Sequence, residues 1–171
     1  AAEGSCLECH DPHASKNAHL LKKPTAQGCY ECHDQMTEAE FKHEPAIEDC
    51  TECHDPHGSK IKGLLKKPVP QGCYECHDDY TKLEFKHDPA AEGSCLECHT
   101  AHASAHKGLL KTAGNGLCFE CHDEADTLGS DAHKDAPETA CTSCHDPHGG
   151  AREFYLKKPA AGTPPAAEAG P

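Results

Sequence analysis

The pattern Cys-x-x-Cys-His occurs seven times in this chain of 171 residues and uses all 14 of its cysteines. The copies begin at Cys6, Cys29, Cys50, Cys73, Cys95, Cys118 and Cys141. No other feature limits the fold as strongly, because the rest of the composition cannot build an ordinary core. Apolar residues make up 36 %, there is no Trp, and Tyr and Phe number four each. A chain this polar buries too little apolar side chain to offset its ordering entropy. Whatever binds the cysteines has to supply the core.

One Cys-x-x-Cys serves equally as a redox disulfide or as half of a zinc site. Seven pairs do not divide into four-cysteine zinc sites, and neither chemistry calls for a histidine after every second cysteine. The pattern is the attachment signature of c-type haem: two thioethers to the porphyrin, with the adjacent histidine on one face of the iron. The sulfurs are those of Cys6, Cys9, Cys29, Cys32, Cys50, Cys53, Cys73, Cys76, Cys95, Cys98, Cys118, Cys121, Cys141 and Cys144, enough for seven haems with no thiol left for a disulfide. The proximal ligands are then His10, His33, His54, His77, His99, His122 and His145. The expected fold is loops and turns with a few short α-helices wrapped round a stacked chain of haems, with little or no β-sheet. Helices of two or three turns are expected within Asp34 to Lys42 and Asp79 to Lys86, Phe41 and Phe85 packing on haem from them.

The motifs are of two kinds. Those at Cys6, Cys50, Cys95 and Cys141 recur at periods of 44, 45 and 46 residues, and each has a second histidine three residues on: His13, His57, His102 and His148. Those at Cys29, Cys73 and Cys118 lack it and carry an aromatic inside the motif (Tyr30, Tyr74, Phe119). A leucine pair lies between the two kinds (Leu20/Leu21, Leu64/Leu65, Leu109/Leu110), and further histidines, His43, His87 and His133, lie just upstream of the later first-kind motifs. The domain reading is a single heptahaem domain over 1–159, in repeats of about 1–40, 41–84, 85–130 and 131–159. A Pro/Ala/Gly tail follows over 160–171.

Nine histidines remain to close the distal faces. A histidine three residues behind a proximal one cannot reach the far face of the same haem. The simplest rule therefore gives His43, His87 and His133 to haems three, five and seven, and His13, His57 and His102 to haems two, four and six. Haem one is left without a ligand and His148 without a haem. This mismatch raises the possibility of a head-to-tail contact in which His148 of one copy ligates haem one of the next, which generates a filament if the contact does not close. Within the chain, His19 or His106 are the alternatives, as is an open iron. Met36, the only methionine, reads as a packing side chain. The acids beside the motifs read as turn formers. Lys22/Lys23, Lys66/Lys67 and Lys157/Lys158 either pair with propionates or form a solvated face.

The net charge of −13 argues against nucleic acid or an anionic membrane surface as partner. A redox partner protein or an extracellular metal or mineral acceptor suits it better. No apolar run is long enough to span a membrane, and the Ala-Ala-Glu start reads as that of an exported protein after signal cleavage. The expected location is extracellular or at the cell surface, otherwise periplasmic.

The run CTECHDPHGS…LLKKP…CYECH closely resembles the doubled-CxxCH family of multihaem c-type cytochromes, over residues 1 to about 159. The resemblance implies non-enzymatic electron transfer along closely stacked haems, in periplasmic carriers, outer-membrane conduits or extracellular filaments. A multihaem reductase is the competing class. It needs an iron with a vacant distal site, and such families usually mark it with an altered motif. All seven motifs here are unaltered. A sensing or scaffold module has no support in the residues.

Overall fold

In the computed structural model, residues 4–36 and 38–157 are described; Lys158 and the 160–171 tail lie outside them. The chain divides into two compact lobes, each discontinuous in sequence: residues 1–78 with 94–113, and residues 79–93 with 114–171.

Regular structure is short everywhere. The first lobe holds α-helices Cys6–Cys9, Thr25–Cys29, Glu44–Glu48 and Cys95–Cys98; the second holds Asp88–Ala91 and Glu124–Gly129. Where a Cys-x-x-Cys forms a helical turn, positions i and i+3 share one face, so both sulfurs reach the same edge of one ligand. Pro45 and Pro89 sit in the first turns of their helices, where a missing N–H costs nothing. Asp123 caps the last helix by accepting the Asp126 N–H at 2.8 Å.

The four first-kind motifs share one loop. The residue after the motif histidine donates its N–H to a leucine-segment carbonyl: Asp11 to Leu20, Asp55 to Leu64, Thr100 to Leu109, and Asp146 to Tyr155, at 2.7–2.8 Å. The motif histidine is thereby bridged antiparallel to Leu21, Leu65, Leu110 or Leu156. The turn between them needs a left-handed residue, supplied by Gly63 and Gly108 at φ 75°. His19 and Phe154 take the same place at φ 56° and 54°. Thus Phe154-Tyr155-Leu156 does for the last repeat what the leucine pairs do for the others.

The two helices expected before the upstream histidines are not formed among the described residues. Over 34–42 the chain makes a turn and bends and then strand β1, Phe41–Lys42; over 79–86 it makes one 3₁₀ turn, Tyr80–Lys82, and then β2, Phe85–Lys86. Along Phe-Lys-His, half-buried and exposed residues alternate with the period of a strand. In the first lobe β1 pairs antiparallel with β3, Ala103–Ser104; in the second β2 pairs with β4, Gly149–Gly150. These two-residue ladders are the whole of the sheet among the described residues.

No apolar side chain is buried among the described residues, and Leu7, Leu20, Leu64, Leu96 and Phe154 are exposed. The polypeptide has no core of its own, as its composition requires. What holds each lobe is hydrogen bonding of loops and two short ladders.

The second ladder depends on one glycine. A Cβ on Gly149 would stand 2.4 Å from the Phe85 carbonyl oxygen, and its φ of +124° is strained for any L side chain. Gly149→Ala is expected to destabilise the second lobe by at least ~2 kcal/mol, read as a drop of several degrees in thermal midpoint. Gly150→Ala, whose Cβ meets open space, should be near neutral.

Candidate haem-binding sites

Histidine rings face one another in pairs. His10 and His57 have ring centres 6.0 Å apart at 21°, His54 and His102 6.0 Å at 20°, and His43 and His77 6.1 Å at 27°, all in the first lobe. In the second, His87 and His122 stand 6.1 Å apart at 21°, and His133 and His145 6.0 Å at 45°. This is too far for ring-on-ring contact, which brings carbon atoms to about 4 Å. It is the spacing of two imidazoles on opposite sides of one metal. Two metal–nitrogen bonds of about 2.0 Å, with about 1.1 Å from each nitrogen to its ring centre, sum to about 6.2 Å.

The hydrogen bonds fix which nitrogen is available. Nδ1 of His10, His54, His99 and His145 lies 2.6–2.8 Å from the carbonyl oxygens of His19, Gly63, Gly108 and Phe154, nine residues on. Nδ1 of His43 and His87 lies 2.9 and 2.7 Å from the carbonyls of Ala101 and Pro147. A carbonyl only accepts, so each Nδ1 carries the proton and Nε2 keeps its lone pair for the metal. Nδ1 of His133 is held by Ser130 Oγ and the Thr127 carbonyl at 2.9 and 3.1 Å. Burial first, then His54 and His43, push the His102 imidazole below its ordinary pKa, favouring the neutral donor form.

These features fit a porphyrin iron. Among the described residues no three or more His, Cys, Asp or Glu side chains cluster as a metal site. Two facing imidazoles would suffice for an iron that a porphyrin already holds, whereas zinc needs four ligands from protein or water. The Cys29 thiol is pushed up to about 11 by burial and by the adjacent Cys50, and Cys73 is raised by burial and by Cys95. The second-kind motifs at Cys29 and Cys73 thus place their first sulfur against the first sulfur of the next repeat.

The pairing differs from the spacing rule at most positions. His43 faces His77 instead of His54, His57 faces His10 instead of His77, His87 faces His122 instead of His99, and His102 faces His54 instead of His122. His133 stands opposite His145, as that rule has it. The reason is the ladders and turns. Helix Glu44–Glu48 separates His43 from its own repeat's first motif, while the His43 N–H is tied to the His102 carbonyl of the next repeat at 2.8 Å. The His13, His57 and His148 N–H groups are held by the carboxylates of Asp11, Asp55 and Asp146 at 2.9–3.1 Å, a turn that carries the histidine away from its own motif. These N–H bonds hold Asp11 below the usual carboxylate range.

His57 stands opposite His10, the place at haem one for which the histidine count had left His148 of another copy, His19, His106 or an open iron. The His148 ring lies flat on Tyr80, 4.2 Å between centres at 5°, with Nδ1 3.5 Å from Asp146. The His19 carbonyl, not its ring, serves the site. Lys23 and Lys67 pair with Glu31 and Glu75 at 2.7 and 2.6 Å, on the solvated face that was one of the two readings. Among the described residues no histidine ring faces His33 or His13.

Sequence reading missed Ser15, Ser59 and Ser104. Each hydroxyl donates to the carbonyl of Leu21, Leu65 or Leu110 and accepts the N–H two residues on. Their recurrence five residues after the motif histidine was the available signal.

A family model described as the doubled CXXCH motif matches residues 1–38, 43–82, 87–127 and 133–163, and the chain belongs to that family. It is a multihaem c-type cytochrome, a protein of electron transfer. No curated protein matches the chain.

Removing one ring tests the pairs as axial ligands. His57→Ala is expected to convert haem one, and not haem four, from low to high spin in the oxidised electron paramagnetic resonance spectrum, with haem content unchanged. His148→Ala should leave haem one low-spin. The reverse result would restore the spacing rule.

Proposed function

We propose that this chain carries seven covalent c-type haems, mostly bis-histidine, and passes electrons along them without catalysing a substrate reaction. The observation that carries the reading is the set of five facing imidazole pairs at 6.0–6.1 Å. Haem supplies the redox chemistry. The chain's residues hold the irons of the five facing pairs from both sides, set the tautomer through backbone carbonyls, and bring attachment edges of successive motifs together. About one haem per 24 residues leaves neighbouring macrocycles close to contact, so each iron exchanges with the next. Two nitrogen ligands per iron also favour a lower potential than a His/Met haem.

The same reading extends to a head-to-tail polymer outside the cell, with a different joint from the one the histidine count gave. His57 and His102, each three residues behind a first-kind motif, face the first-kind motif histidine of the preceding repeat, His10 and His54. His13 is built on the same Asx turn and is exposed. In a polymer such an exposed histidine is the group that one copy offers to an iron of the next. A contact of this kind that does not close builds a filament. A chain of this acidity, with no helix among the described residues long and apolar enough to cross a membrane, suits a surface or extracellular place and a metal or mineral acceptor.

Electron microscopy of the purified holoprotein is the test. Unbranched fibres are expected. His13→Ala should abolish them while intact mass still reports seven haems. Monomers of the unsubstituted protein, with seven haems, would indicate a discrete shuttle.

A further inference from the structure

In the second lobe, β2 brings His87 to the loop that follows the last first-kind motif. The His87 N–H reaches the His148 carbonyl at 3.5 Å, and Nδ1 lies 2.7 Å from the Pro147 carbonyl. The His87 ring faces His122 at 6.1 Å and 21°. In the first lobe β1 holds His43 in the same way. Its N–H reaches the His102 carbonyl, Nδ1 lies 2.9 Å from the Ala101 carbonyl, and the ring faces His77. The sites for haems four and six are built alike in these respects.

They differ in the residue that the loop places beside the strand histidine. The Tyr155 ring stands 5.6 Å from the His87 ring, tilted by 51°, within the range in which aromatic rings attract edge to face. Both side chains are half-buried. The contact follows from the loop. The Asp146 N–H donates to the Tyr155 carbonyl at 2.8 Å, so Tyr155 is tied to the segment 146–148, whose carbonyls hold His87. The corresponding residue of the earlier repeats is Leu20, Leu64 or Leu109, and Leu109 is tied to Thr100 as Tyr155 is to Asp146. The backbone is the same in all four, with φ 57°, 55°, 57° and 58° in chain order. The turn therefore does not require tyrosine, since leucine makes it equally well.

A hydrogen bond at Nδ1 and a metal bond at Nε2 fix two atoms of an imidazole and leave it free to rock about the line between them. A further contact, on the ring itself, sets its plane. We propose that Tyr155 is a positioning residue that fixes the plane of the His87 imidazole and so makes haem six electronically different from haem four. In a ferric haem with two imidazole ligands, the angle between the ring planes decides how the iron d orbitals split and which is half-filled. That orbital exchanges the electron, so holding the plane holds the orientation of its coupling to the neighbouring haems. The aromatic ring does this by packing, and the hydroxyl takes no part. This inference rests on haem being bound at His122, and not on polymer formation.

The experiment compares oxidised electron paramagnetic resonance spectra of the holoprotein and of three variants, His87→Ala, Tyr155→Leu and Tyr155→Phe, after haem content has been measured by mass. Loss of one low-spin signal in His87→Ala identifies haem six. If no signal is lost, the ligand reading itself fails and this inference with it. Tyr155→Leu keeps the turn and is expected to retain every haem. It should shift the largest g value of the haem six signal upward, the direction in which ring planes turn away from parallel. Tyr155→Phe keeps the ring and should leave that signal in place. An unshifted signal in Tyr155→Leu would overturn the proposal, because a role confined to packing the turn moves the thermal midpoint and not the g value. So would an equal shift in Tyr155→Phe, which would assign the effect to the hydroxyl.

Discussion

Five pairs of facing imidazoles at 6.0–6.1 Å are the constraint on which the rest of this protein depends. The polypeptide buries no apolar side chain among its described residues, so it lacks the usual reason to fold. A thioether-bound porphyrin brings a large apolar surface, and a second histidine from elsewhere in the chain ties two distant segments to it. On the proposed reading each facing pair becomes a cross-link once haem is bound: His10 to His57 spans 47 residues, and His54 to His102 spans 48. Ordering a loop-rich chain is costly, and closure by bonds of this strength offsets that cost as a disulfide or structural zinc does in other small domains.

The ladders carry out a task larger than their length. In β1 against β3, His43 stands beside His102 in the register, yet the two rings turn to different motif histidines, His77 and His54. Two residues of sheet thus fix the distal ligands of successive haems relative to one another. The carbonyls that accept Nδ1–H play the complementary part on the proximal side. Because they are backbone atoms of a tight turn, they depend on loop geometry and tolerate His19, Gly63, Gly108 or Phe154 at one position. This explains how the last repeat keeps its site after replacing the leucine pair with Phe154-Tyr155-Leu156.

The repeat is regular inside the chain and irregular at its ends. Interior histidines obey one rule: those after a first-kind motif reach back one repeat, and those on a strand reach the second-kind motif of their own repeat. At the last repeat the strand-type histidine, His133, turns to its own first-kind motif, held by Ser130 and Thr127 in place of a ladder.

Much of the site was legible in the residues. Seven motifs, their proximal histidines, the two motif kinds and the absence of an apolar core follow from the sequence, because thioether chemistry fixes spacing and composition fixes what can be buried. The family follows from the same motifs. The partner of each distal histidine was not legible. Spacing along the chain favours the nearest motif, whereas the fold pairs by ladder and turn. Whether His43 reaches His54 or His77 depends on a two-residue strand laid against a segment 61 to 63 residues away, and local propensity had suggested a helix there. The sequence by itself determined what each histidine is able to bind. Only the tertiary structure decided which iron it faces, since that depends on where hydrogen bonds between distant segments direct the ring.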